Sequence, residues 1–87
     1  MQEKDLDRQF REAFEKASNM TEPLPQDVML RIYAYYKQAT QGTVEVNPYQ
    51  NFDLRNAFKM NAWMQVRHLT TDEAKKMYIE TINSIIK

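Results

Sequence analysis

The stretch Ile32-Tyr33-Ala34-Tyr35-Tyr36-Lys37-Gln38-Ala39-Thr40 places three tyrosines and a lysine within five residues. Met29, Ile32, Tyr36 and Ala39 recur at helical spacing, so the segment reads as part of an amphipathic helix. Tyr33, Tyr36 and Lys37 stand at i, i+3 and i+4 of that helix and share one face. Two phenol rings and an ammonium group on one face suit a ligand that joins a flat ring to a phosphate. The rings also have a purely structural reading, with Tyr36 in the core and Tyr33 and Tyr35 half-buried.

Outward from this segment the same period continues. A first helix is expected from about Asp5 to Asn19, with Leu6, Phe10, Ala13, Phe14 and Ala17 in register. Pro23 and Pro25 break the chain before the second helix, which runs from about Asp27 to Gln41. Gly42, the chain's one glycine, is placed to stop it. Thr43 to Asn51 is a long connection, polar apart from Val44, Val46 and Tyr49. A third helix is expected from about Phe52 to Leu69, burying Leu54, Phe58, Ala62, Trp63 and Val66. Thr70 and Glu73 form a capping-box signature for a fourth helix reaching about Ile86, with Ala74, Met77, Tyr78, Ile82 and Ile85 inward. Four helices with one apolar face each predict an all-α four-helix bundle, and 87 residues predict a single domain over 1–87.

Composition narrows the function. A hydrophobic fraction of 43% is too high for a disordered chain. The chain has no cysteine, which removes disulfides, thiolate nucleophiles and cysteine metal sites. No apolar run approaches the ~20 residues of a membrane span, and Met1-Gln2-Glu3-Lys4-Asp5 is unlike a signal peptide. A soluble cytoplasmic protein without stable membrane insertion is expected. Net charge is zero, against broad nucleic-acid binding. The charge is nevertheless uneven. Residues 1–30 hold four bases and seven acids, whereas residues 31–67 hold five bases and two acids. A locally basic middle on a neutral chain suits a small, multiply charged anion.

Catalysis finds little in the sequence. His68 is the only histidine and has no companion for a metal site or a charge relay. One glycine cannot build a phosphate-cradling loop or a dinucleotide fingerprint. Asp72 and Glu73 read as first-turn acids favoured by the helix dipole. A binding module without catalytic residues, metal or cofactor is expected.

The run Tyr33-Ala34-Tyr35-Tyr36-Lys37-Gln38-Ala39-Thr40, followed by Phe58-Lys59-Met60-Asn61-Ala62-Trp63 and Ala74-Lys75-Lys76-Met77-Tyr78-Ile79, resembles the acyl-CoA-binding protein family from about Phe10 to Ile86. In that family two tyrosines and a lysine of the first motif hold the adenosine 3′-phosphate end of coenzyme A. The resemblance implies this role for Tyr33, Tyr36 and Lys37, a phosphate contact for Lys59 and a ligand contact for Tyr78. Trp63 matches a tryptophan of the motif and is read as packing. Phe14, Met29, Leu30, Leu54 and Phe58 are candidates for the acyl trough, each with a plain core reading beside it.

The chain also departs from the family's pattern. Met60 stands where a second tryptophan is common, and Arg31 where an apolar residue is frequent. Ser18 stands near a usual basic position of helix one, with Lys16 the nearest substitute. The resemblance implies a monomeric, non-catalytic carrier of medium- to long-chain fatty acyl-CoA esters that hands its ligand to acyl-CoA-using enzymes. The chain begins and ends near the limits of such a domain, so a stand-alone carrier is expected over a piece of an enzyme. The rival expectation is a helical protein-interaction module that has lost acyl-CoA binding.

Overall fold

The computed structural model describes residues 2–42 and 54–86, with side chains for 5–42 and 57–86. Within them lie four helices and no strand: α1 Gln2–Ser18, α2 Gln26–Gln41, α3 Leu54–Gln65 and α4 Thr71–Ile85. Phe52 and the connection 43–51 fall outside the described residues, as does the side chain of Leu54.

The helix ends follow local chemistry. At the start of α4, Glu73 N–H donates to Thr70 Oγ1 at 3.1 Å and Thr70 N–H donates to Glu73 Oε1 at 3.0 Å. The expected capping box is therefore complete. The bonds from Thr70 hold the Glu73 carboxyl below the usual carboxylate range. At the end of α2, Gly42 donates its N–H to Gln38 O at 3.1 Å. Its φ of 78° and ψ of −153° lie in a region open essentially to glycine. No atom lies within 4 Å of where its Cβ would stand, so the demand for glycine there is conformational.

The third helix stops short of the expected Leu69. After Gln65 the backbone tightens into i→i−3 bonds, with Val66 donating to Trp63 O, Arg67 to Met64 O and Leu69 to Val66 O. The carbonyls of Arg67 and Leu69 are taken instead by the side chain of Gln38 on α2, at 3.4 and 2.7 Å. That capture, with Thr70 opening a new helix, separates α3 from α4.

α4 packs against both α1 and α2, and α2 packs also against α3. The helices thus lie in the order α1–α4–α2–α3 across a plate of 39 × 32 × 16 Å. Alanines at the contacts (Ala13, Ala34, Ala39 and Ala74, each 5% exposed or less) let the axes approach closely. Ala13, Tyr78 and Ile82 form the core cluster, with Phe10, Ile32, Tyr36 and Ile79 packed on it.

Four large apolar residues expected to face inward do not. Phe14, Met29, Phe58 and Met77 are 37, 56, 47 and 36% exposed. The cause for Phe14 and Met29 is the helix order. α1 and α2 both lean on α4 and make no close backbone contact with each other, so their facing edges stay open. On α4 the buried line is Ala74, Tyr78 and Ile82, which leaves Met77 at its margin.

Candidate functional site

The gap between α1 and α2 is floored by aromatic rings. Phe10 of α1 lies 5.9 Å from Tyr36 of α2 and 4.9 Å from Tyr78 of α4, between ring centroids. Phe14 lies 5.2 Å from Tyr36, and Tyr36 lies 6.0 Å from Tyr78. These separations are those of favourable stacked and tilted aromatic pairs. Burial, and secondarily the neighbouring Tyr36, push the Tyr78 hydroxyl up to about 12. At neutral pH it is therefore a phenol that can donate a hydrogen bond.

Above this floor opens a cleft of about 320 Å³. Phe14, Ala17 and Ser18 form one wall, Met29, Ile32, Tyr33 and Tyr36 the other, and Tyr78 lies at the base. Its lining is apolar and phenolic apart from the Ser18 hydroxyl, with no charged side chain. Ser18 donates its hydroxyl to Phe14 O at 2.9 Å, back into its own helix.

Cations gather at one ring of the wall. The Lys37 ammonium stands 5.7 Å from the centroid of Tyr33, and the Lys59 ammonium from α3 stands 5.2 Å from the same ring. Lys37 also lies 5.9 Å from the Trp63 ring. Both lysines are half-buried and neither pairs with a carboxylate among the described residues. Two ammonium groups gathered at one phenol ring suit a phosphate.

Across α2 a second cleft of about 370 Å³ opens toward α3. Leu30, Ala34, Phe58, Ala62 and Val66 supply its apolar surface, and Asp27, Arg31, Asn61 and Gln65 its polar lining. The residues singled out for an acyl trough are therefore divided. Phe14 and Met29 line the α1–α2 cleft, while Leu30 and Phe58 line the α2–α3 cleft.

The family model for the acyl CoA binding protein matches residues 7–82. The chain belongs to this family. An acyl-CoA-binding protein of Ricinus communis is 33% identical over 81 residues, covering 93% of this chain and 90% of that one. The crystal structure of Oryza sativa acyl-CoA-binding protein 2 superposes with a TM-score of 0.85 at 31% identity, over 93% of this chain and 90% of that one. The same stretch also resembles part of a larger protein. The enoyl-CoA delta isomerase 2 of Rattus norvegicus is 34% identical over 82 residues, which are 90% of this chain but 21% of the isomerase.

Within this family fold, Tyr33, Tyr36 and Tyr78 line the α1–α2 cleft, and Lys37 and Lys59 reach the Tyr33 ring without lining the cleft themselves. Ser18 lines the same cleft, but Lys16, the suggested basic substitute, does not. Lys16 lines a separate depression with Met20, Leu24, Ile85 and Ile86. Lys75, one turn before Tyr78, is spent on Asp7 of α1 at 2.7 Å. Trp63 is buried, as its packing role required. Its Nε1 donates to Gln38 Oε1 at 3.0 Å and to Gly42 O at 3.1 Å.

Gln38 is the residue the sequence reading missed. It is 1% exposed and ties α2 to Trp63 and to the turn after α3. Its signal was present, because Gln38 lies one turn after Ala34 on the helix face opposite Tyr33 and Tyr36. Among the described residues no group of three metal-ligating side chains occurs, and no helix is long and apolar enough to cross a membrane.

Proposed function

We propose that this chain binds medium- to long-chain fatty acyl-CoA esters without transforming them and carries them to acyl-CoA-using enzymes. The observation that carries the reading is the junction at Tyr33, where two ammonium groups meet the wall of an apolar cleft. Lys37 and Lys59 hold phosphates of the coenzyme A nucleotide, and the hydroxyls of Tyr33, Tyr36 and Tyr78 add donors. The aromatic rings offer the adenine a stacking surface, worth roughly 1–3 kcal/mol for a base. The acyl chain lies on the apolar residues beside α2: Phe14 and Met29 on one flank, Leu30 and Phe58 on the other. Each methylene removed from water contributes at most ~0.8 kcal/mol. Ordering of the chain offsets part of that gain, so affinity rises with length by less than the full increment. The carrier acts as a monomer in the cytoplasm.

Calorimetric titration with palmitoyl-CoA below its micelle concentration tests the reading, with octanoyl-CoA, free coenzyme A and palmitate beside it. Tight one-to-one binding of palmitoyl-CoA, with both fragments far weaker, is the expected result. No binding of any of them by the folded protein would refute it and favour a protein partner.

A further inference from the structure

We propose that Met29 is a site of reversible oxidation, and that its sulfoxide lowers the affinity of the α1–α2 cleft for apolar ligands. The second half rests on the carrier reading, and the first does not. The chain has six methionines. Met20, Met60 and Met64 are half-buried, whereas Met29 is 56% and Met77 36% exposed. Oxidation of a thioether follows access of the oxidant to sulfur, which ranks Met29 first among the described methionines.

Position separates the two exposed sulfurs. Met29 forms part of the cleft wall beside Tyr33 and across from Phe14. Met77 lies at the margin of α4 and lines neither cleft beside α2. A hydroperoxide transfers one oxygen atom to the Met29 sulfur. The O–O bond breaks, an S–O bond forms, sulfur loses two electrons, and the peroxide leaves as water or alcohol with its own proton. The product places a polar sulfoxide on a wall that is otherwise apolar and phenolic. Because the side chain is exposed, the change falls on ligand contact more than on the fold. Lys37 and Lys59 lie on other side chains and are unaltered, so coenzyme A alone should bind as before while the advantage of a long acyl chain shrinks. Enzymes that reduce methionine sulfoxide reverse the step.

The test treats ligand-free protein with dilute hydrogen peroxide and maps the one-oxygen mass gain peptide by peptide. Met29 should oxidise fastest, Met77 next, and Met20, Met60 and Met64 behind. Oxidation of Met29 no faster than of the half-buried methionines would overturn the site. Palmitoyl-CoA affinity should then fall about tenfold, equivalent to ~1.4 kcal/mol, in the wild type and in Met77→Leu. In Met29→Leu, peroxide should cause no such fall relative to its own untreated sample, and a persistent fall would overturn the proposal. Methionine sulfoxide reductases for both epimers should restore the wild type. Bound palmitoyl-CoA should slow oxidation of Met29 and leave that of Met77 unchanged. If the untreated protein binds no thioester, the carrier reading fails and takes the affinity half with it, while the mass map still decides the site.

Discussion

Replacing Gln38 by leucine asks what holds α2, α3 and the turn before α4 together. The side chain is 1% exposed. Its Nε2 donates to Leu69 O at 2.7 Å and more weakly to Arg67 O at 3.4 Å, and its Oε1 accepts from Trp63 at 3.0 Å. Leucine is close in volume, so the loss is polar more than a matter of cavity. Trp63 keeps the Gly42 carbonyl at 3.1 Å, so its N–H is not stranded. The Leu69 carbonyl is. Two well-formed bonds at ~1 kcal/mol each, with a partial penalty for that carbonyl, give a loss of about 2–3 kcal/mol. In a domain of this size the melting temperature should fall by roughly 10–20 °C. Far-ultraviolet circular dichroism and the fluorescence of Trp63, the chain's single tryptophan, would follow heat and urea unfolding in parallel. A loss below ~0.5 kcal/mol would refute the reasoning, because it would mean that water replaces the amide at no cost.

Lys37→Ala and Lys59→Ala should each weaken palmitoyl-CoA binding by roughly tenfold or more, the scale of one lost charge-assisted bond, with little change in urea midpoint. Calorimetry that finds wild-type affinity in Lys59→Ala would remove the phosphate assignment. Tyr36→Ala should lose affinity and also ~2–4 kcal/mol of stability, since its ring meets Phe10, Phe14 and Tyr78. Tyr36→Phe should keep most of that stability, and a urea comparison of the two variants separates ring from hydroxyl. Tyr78 is held up at about 12 against an ordinary value of 10.0, so folding favours its neutral form. Its contribution is complete below pH 10 and is lost as pH rises from there through about 12. Tyr78→Phe should flatten that part of the alkaline unfolding curve, and an unchanged slope would count against the assignment.

Periodicity and capping chemistry made the four helices legible, down to Gly42 and the Thr70–Glu73 box. The motif residues Tyr33, Tyr36 and Lys37 could be read as one face because helical spacing is local. What lay beyond the sequence was the neighbour of each face. Phe14 and Met29 fit a core stripe and a ligand surface equally well until the order α1–α4–α2–α3 leaves them uncovered. The assignment of Leu30 and Phe58 to a different cleft from Met29 depends on the same order. The end of α3 escaped for another reason: it is fixed by Gln38, whose partners lie 29 and 31 residues away.

Among the described helices α1 makes close backbone contact with α4 and meets α2 through the Phe10, Phe14 and Tyr36 rings, so its backbone neighbour is made late. During translation α1 leaves the ribosome well before residues 71–85 exist. At ~5–20 residues per second, the intervening chain takes roughly 3–10 s to make. Through that interval α1 waits with Phe10 still parted from its Tyr78 partner on α4. Folding is therefore completed by a closure of the whole domain, which the Asp7–Lys75 ion pair then spans across 68 residues.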